Sequence, residues 1–282
     1  MTTNGSPPEY GGKRVVVTGC ASGIGEALAR LLVRQGAEVI GLDRRPTSAP
    51  VAGFHRVDLA DSRSVAEAAG AAGDRIDALF NVAGVSGLAD PAEIIGINFV
   101  GTRELTELLL ERMTAGAAVV NTASIAASHH PRRRELVAGL LAAADRPAAT
   151  RWCRDHRERI GTGYAVSKDA LVWYTLTRSV ELAARGVRMN CAAPGLTDTP
   201  ILDASRESRG AGFLDSIPRP LGRTAEPREQ AAVLAFLNSP SASYLTGQVI
   251  WVDGGYMAGV ATGRFPNVTG GVGDAQQPGE RS

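Results

Sequence analysis

Cysteine is scarce: Cys20, Cys153 and Cys191 are the only three in 282 residues, and they lie far apart. That number and scatter exclude a disulfide framework and a thiolate zinc site, and fit reduced thiols in a cytoplasmic protein. Charge of one sign is also lacking. Lys+Arg is 30 against Asp+Glu 29, a formal net charge of +1, so no charge excess points to nucleic acid or a membrane surface. No apolar run is long enough to cross a bilayer, and the polar N-terminus has no signal-peptide pattern. Aromatics make up only 5%, and none interleave with basic residues as in a nucleic-acid binder. Internal repeats are absent. His129-His130 has no carboxylate or cysteine at ligand spacing, so no metal is expected.

What is present is alternation. Short β-branched runs recur near 14–18, 38–42, 54–57, 76–81, 117–123, 187–192 and 248–252. Helical spacing fits 23–35, 62–72, 91–113, 164–185 and 227–238. Strands alternating with helices predict one doubly wound α/β domain, a seven-stranded parallel sheet of Rossmann type spanning 13–258. An apolar fraction of 44% suits such a core. Residues 1–12 and the Gly- and Pro-rich stretch 259–282 read as flexible ends.

Two segments carry chemistry. Thr18-Gly19-Cys20-Ala21-Ser22-Gly23-Ile24-Gly25 joins a buried strand to a helix. Glycines there let the backbone approach a pyrophosphate at the helix N-terminus. Tyr164-Ala165-Val166-Ser167-Lys168 sets a phenol and an ammonium one helical turn apart. An ammonium beside a phenol favours the phenolate and moves its pKa down from near ~10, toward useful acid–base work at neutral pH. Each segment alone admits a bland reading, a tight turn or a solvated lysine over a ring. Both occur in one chain.

Together they resemble the short-chain dehydrogenase/reductase family. Further stretches fit in the family's order: Asn81-Val82-Ala83-Gly84, Asn98 in Ile97-Asn98-Phe99, Ser124 after a strand, Pro194-Gly195, and the run 247–255. The resemblance covers about 13–255. It implies Tyr164 as general acid/base, Lys168 tuning it and holding the nicotinamide ribose, Ser124 holding the substrate oxygen, and Asn98 positioning a relay water. It implies a dinucleotide on Gly19, Ser22, Gly23, Ile24 and Gly25, with Asp58 and Leu59 bracketing the adenine. Asn81, Ala83 and Gly84 would line the adenosine ribose, and Pro194, Leu196, Thr197 and Thr199 would reach the nicotinamide side. Asp43 ends the second strand, roughly ~20 residues past the glycine turn, where an acid binds ribose hydroxyls and repels a 2′-phosphate. Arg44 and Arg45 follow it, and arginine suits that phosphate. The weight falls on Asp43 and on NAD(H) rather than NADP(H). The related enoyl reductases space their tyrosine and lysine more widely.

One departure stands out. Ser124 and Tyr164 are forty positions apart, much further than in most members. The extra piece, 126–163, contains two helix-like stretches, 132–142 and 150–157. Similar insertions occur in the coniferyl-alcohol dehydrogenase group and in bacterial 3α-hydroxysteroid dehydrogenase/carbonyl reductase, which this chain resembles. An insertion there should obstruct the helical face by which relatives pair, so a homodimer through another surface is expected, with a tetramer as the alternative. Residues 196–220 read as a substrate lid, whose Ile201, Leu202, Phe213 and Leu214 suggest an apolar pocket. The expected reaction interconverts a hydrophobic alcohol, aromatic, allylic or cyclic, and its carbonyl. A hydroxysteroid dehydrogenase, a natural-product ketoreductase and a non-catalytic NAD-binding regulator are the alternatives.

Overall fold

The structure is a computed structural model that describes residues 9–87 and 89–269. Seven strands, β1 (Arg14–Thr18), β2 (Glu38–Asp43), β3 (Gly53–Arg56), β4 (Ala78–Asn81), β5 (Ala118–Thr122), β6 (Arg188–Pro194) and β7 (Val249–Val252), form one sheet. All pairings are parallel, in the order β3-β2-β1-β4-β5-β6-β7. Successive side chains point to opposite faces, so Val16, Leu79 and Val119 feed one core while Val15, Phe80 and Val120 feed the other. Both faces are buried, which is why these strands read as continuous apolar runs.

The helices are α1 (Gly23–Arg34), α2 (Ser62–Ala71), α3 (Pro91–Ile95), α4 (Thr102–Leu110), α5 (Arg134–Ala142), α6 (Arg146–Asp155), α7 (Tyr164–Ala183), α8 (Pro200–Arg209), α9 (Ala211–Asp215), α10 (Pro227–Asn238) and α11 (Tyr256–Ala261). Helices α1 and α10 cover one face; α2, α4 and α7 cover the other. The sheet order reverses between β1 and β4. In an open α/β sheet a ligand crevice opens there, beyond the strand C-termini.

Three expectations need correction. The helix read over 91–113 is not continuous: a π-helical segment, Gly96–Gly101, separates α3 from α4. Apolar spacing tolerates one wide turn, so periodicity does not reveal it; such turns favour functional sites. The N-terminus is held from residue 9 onward, because the Tyr10 hydroxyl donates to the Ala235 carbonyl at 2.6 Å and its ring packs on Phe80. The C-terminal stretch from 259 is packed as far as Thr269, which is buried and donates to the Ile125 carbonyl at 3.0 Å. The remainder of both ends, 1–8 and 270–282, lies outside the described residues.

The insertion forms a short 3₁₀ helix (Ile125–His129) followed by α5 and α6, docked on α7 and the π segment. A buried ion pair fastens it: Arg133 Nη1 lies 2.7 Å from Asp169 Oδ2, one residue past Lys168. Arg103 of α4 also donates to the Leu141 and Ala143 carbonyls at 3.1 and 2.8 Å. The insertion therefore occupies the start of the α4–α7 face, while Leu108 and Val180 further along those helices stay exposed.

Candidate active site

A cleft of about 400 Å³ runs across the C-terminal ends of β1, β2, β4, β5 and β6. Its floor at one end is the turn between β1 and α1. Gly19 has φ +73°, and a Cβ there would press to 2.9 Å on the Ala83 backbone. A Cβ on Gly25 would overlap the Gly19 carbonyl. The turn closes onto β4 only with bare glycines. Ser22 precedes α1 without a side-chain cap, so no side chain caps the first turn beside the cleft. A glycine cradle under an uncapped helix start, in a cleft lined from Asp43 to Ser124 and Tyr164, fits the pyrophosphate of NAD(P).

Asp43 closes that end. Its Oδ2 accepts from Ala21 N and its Oδ1 from Arg45 N, both at 3.0 Å. The arginine that reaches the glycine turn is Arg45, whose Nη2 donates to Ser22 Oγ at 3.4 Å. Asp58 and Leu59 form the neighbouring wall, and Ala83 and Gly84 line the middle.

Asn81 does not reach the cleft, contrary to expectation. Its side chain is buried between β4 and β5, donating to Thr106 Oγ1 and Asn121 Oδ1, both at 2.8 Å; Asn121 in turn donates to Thr175 Oγ1 at 2.9 Å. Strand alternation turns it into the core, and Val82 lines the cleft instead. This chain of buried amides and hydroxyls ties β4 and β5 to α4 and α7.

At the other end stand Ser124, Tyr164 and Lys168. Ser124 starts the insertion's 3₁₀ helix, and its Oγ accepts from Ala126 N at 3.2 Å, which leaves the hydroxyl proton to point elsewhere. Tyr164 is the first residue of α7. Gly163 before it has φ +77° and abuts the Pro91 carbonyl so closely that no side chain fits, which fixes where α7 starts. Lys168 is buried, donates from Nζ to the Thr122 carbonyl at 2.8 Å, and lies 5.6 Å from the centre of the Tyr164 ring. Burial pulls its pKa down to about 8, opposed by the Cys191 thiol.

Asn98 sits behind, inside the π segment and fully buried. Its Oδ1 accepts from Val85 N at 2.7 Å, and its Nδ2 donates to Val85 O at 2.9 Å and Ser167 Oγ at 3.2 Å. Ser167 Oγ donates to Tyr164 O at 2.7 Å. The amide thus staples the loop after β4 to the first turn of α7.

Pro194, Leu196, Thr197 and Thr199 line the same cleft and lead into the lid. Thr199 caps α8, and its methyl approaches the Gly23 position. Ser86 Oγ donates to the Ile201 carbonyl at 3.0 Å and meets Ser205 Oγ at 3.0 Å, latching α8 across the opening. Ile125, Leu202, Leu214, Ile217 and Tyr256 form an apolar cluster under the lid, with Phe213 packed on it. The sequence reading missed the segment 265–269. Tyr256 Oη donates to the Pro266 carbonyl at 3.2 Å and accepts from Val268 N at 3.0 Å, and Thr269 reaches the cleft wall. Among the described residues no group of His, Cys, Asp and Glu could hold a metal ion, and all three cysteines are buried and free.

Comparisons with known proteins converge on one family. A model described as an NAD-dependent epimerase/dehydratase family matches residues 15–192, and one described as enoyl-(acyl carrier protein) reductase matches 156–257. Coniferyl-alcohol dehydrogenase of Pseudomonas sp. strain HR199 is 34% identical, over 86% of this chain and 96% of that protein. The 3-alpha-hydroxysteroid dehydrogenase/carbonyl reductase of Comamonas testosteroni is 32% identical, over 86% and 95%. The chain belongs to the short-chain dehydrogenase/reductase family. A crystal structure of a 3-alpha-hydroxysteroid dehydrogenase from Pseudomonas sp. B-0831, complexed with NADH, superposes with a TM-score of 0.77 at 34% identity, covering 89% of this chain and 98% of that one. As a short-chain dehydrogenase/reductase the protein is an NAD(P)-dependent oxidoreductase. The enoyl-reductase description fits less well with its tyrosine and lysine, which stand one helical turn apart.

Proposed function

We propose that the protein is an NAD(H)-dependent dehydrogenase or carbonyl reductase acting on a hydrophobic alcohol and its carbonyl, with an aromatic allylic alcohol of the coniferyl type as the first candidate. One observation carries this reading: Ser124 and Tyr164 flank the end of the cleft where the lid's apolar cluster begins, with Lys168 directly behind the tyrosine. The coenzyme supplies or accepts the hydride. The chain's residues bind, orient and move a proton. Ser124 Oγ–H donates to the substrate oxygen and stabilises charge developing there. The Tyr164 hydroxyl gives its proton to that oxygen in reduction and takes it in oxidation. Lys168 holds positive charge beside the phenol and offers Nζ to the nicotinamide ribose. Both N–H groups of the Asn98 amide are engaged, so a relay water would be held by an Asn98 oxygen. The apolar pocket excludes water and favours an aromatic or alicyclic body. A hydroxysteroid is the second reading, favoured by the NADH-bound relative.

Asp43 favours NAD(H). Its carboxylate is fixed by two backbone N–H groups where it would accept from ribose hydroxyls and repel a 2′-phosphate. Asp43→Asn is expected to shift the ratio of kcat/KM for NADH over NADPH toward NADPH by about tenfold or more, since one unscreened carboxylate contact is worth ~1.4 kcal/mol or above. Arg45 then becomes a phosphate ligand, and Asp43→Asn/Arg45→Ala should lose the gain. An unchanged ratio in Asp43→Asn would remove Asp43 from coenzyme selection.

The segment 265–269 forms part of the substrate wall. Tyr256→Phe removes the two hydrogen bonds Tyr256 makes to it, leaving those of Thr269 to Ile125 and of Ser128 to Asn267. The expected result is a KM for the alcohol raised about 3–10-fold, as lost hydrogen bonds permit, with the coenzyme KM unchanged. Equal changes in both constants would contradict that placement. The protein is further proposed to be a cytoplasmic homodimer that pairs through a surface other than the α4–α7 face, whose start the insertion occupies.

The function itself is tested by initial rates with NADH and NADPH on coniferyl aldehyde, a 3-ketosteroid and a cyclic ketone. Turnover of one class with NADH is expected. Binding of a dinucleotide without turnover of any would favour the regulator reading.

A further inference from the structure

The insertion contributes a residue that no active-site motif contains. Arg146 is the first residue of α6, placed by the Asp145 side chain, which caps the helix by accepting from Ala148 N at 2.7 Å. Its guanidinium is mostly buried and donates in four directions. Nη2 reaches the Leu59 carbonyl at 2.8 Å and Glu104 Oε2 at 2.6 Å; Nη1 reaches the Gly96 carbonyl at 3.2 Å; Nε reaches Ser62 Oγ at 3.0 Å. Glu104 also accepts from Ser62 Oγ, closing the ring.

These partners are not scattered. Leu59 lies in the wall at the end of the cleft marked by Asp43 and Asp58. Gly96 opens the π segment that carries Asn98 two residues later. The Leu59 carbonyl is also pressed on Gly101, where any Cβ would overlap it. So the backbone of the cleft wall is held from two sides, by a bare Cα and by one guanidinium. Only a planar group with several fixed donors can serve these four acceptors at once.

We infer that Arg146 is a positioning residue for coenzyme binding, through which the insertion pre-shapes the adenine end of the cleft and joins it to the π segment bearing Asn98. This rests on the NAD(P) reading of the cleft. A wall ordered before binding spares the ordering cost on association, so losing the anchor lowers affinity without removing any ligand contact. Substrate groups bind at the opposite end and should not sense it.

The test is direct titration of nicotinamide fluorescence with NADH for the wild type, Arg146→Met and Arg146→Lys, alongside KM for alcohol at saturating coenzyme. Wild type should bind NADH. Arg146→Met should bind it about tenfold more weakly, equivalent to ~1.4 kcal/mol, while the alcohol KM stays within twofold. Arg146→Lys, keeping the charge but losing the fork, should recover only part of the affinity. Should Arg146→Met fail to fold, Ser62→Ala and Glu104→Ala remove guanidinium partners singly and should each weaken NADH binding by a smaller factor. If these variants bind NADH as the wild type does, the inference is overturned. If the wild type binds neither NADH nor NADPH, the functional reading itself fails.

Discussion

Tyr164→Phe is expected to lower kcat by about 10²–10⁴-fold, the range supplied by a positioned acid or base. The ring stays, so its packing and the helix start set by Gly163 are preserved. The hydroxyl, and with it the proton carrier, is lost. NADH affinity and melting temperature should therefore stay close to wild type, and KM for the alcohol should change by a small factor because Ser124 still holds the oxygen. Steady-state kinetics with an NADH titration separates these effects. A variant with near-normal kcat would remove Tyr164 from the proton path.

Lys168→Met should have the second largest effect, lowering kcat about 10²-fold or more through the loss of charge beside the phenol and of the ribose contact. It carries a second, independent signature. Burial pulls the lysine from 10.5 to about 8 in the fold. Between those values the unfolded chain binds more protons than the folded one, so this residue makes stability rise with pH. Below about 8 the fold carries the full cost of a buried ammonium. Relative to wild type, Lys168→Met should thus be most favoured below pH 8, and the difference should shrink by up to about 3 kcal/mol toward pH 10.5. Urea unfolding of both proteins across pH 7–10 measures it. A difference independent of pH would show that the lysine is not desolvated as its burial indicates.

Much of this site was legible because its chemistry is local in sequence. The glycine turn sits between two periodic segments, and Tyr164 and Lys168 share a helical face, so spacing alone put them together. The sheet was legible for the same reason, since its strands read as short apolar runs and fall within two residues of expectation at each end. What stayed hidden depends on direction or on distance along the chain. Asn81 is adjacent to cleft residues, yet one step of strand alternation turns its amide into the core. The π segment preserves apolar spacing and so leaves no periodic trace. Arg146 meets Leu59 and Gly96 across wide sequence separation, and Thr269 closes on Ile125 from the far end of the chain. In the run Arg132-Arg133-Arg134, composition alone suggests a solvated face; only the fold pairs Arg133 with the buried Asp169.

The reaction proposed for this cleft is hydride transfer from a nicotinamide to the carbonyl carbon of a hydrophobic substrate. The measurement that bears on it most directly uses NADH stereospecifically deuterated at the nicotinamide C4, incubated with enzyme and each candidate aldehyde or ketone, with mass spectrometry of the product. The expected product is an alcohol carrying one deuterium at the carbinol carbon, with one of the two C4 labels and not the other, formed about 10²–10⁴-fold more slowly by Tyr164→Phe. Product without deuterium from either label, or formation at a near wild-type rate without the Tyr164 hydroxyl, would contradict it.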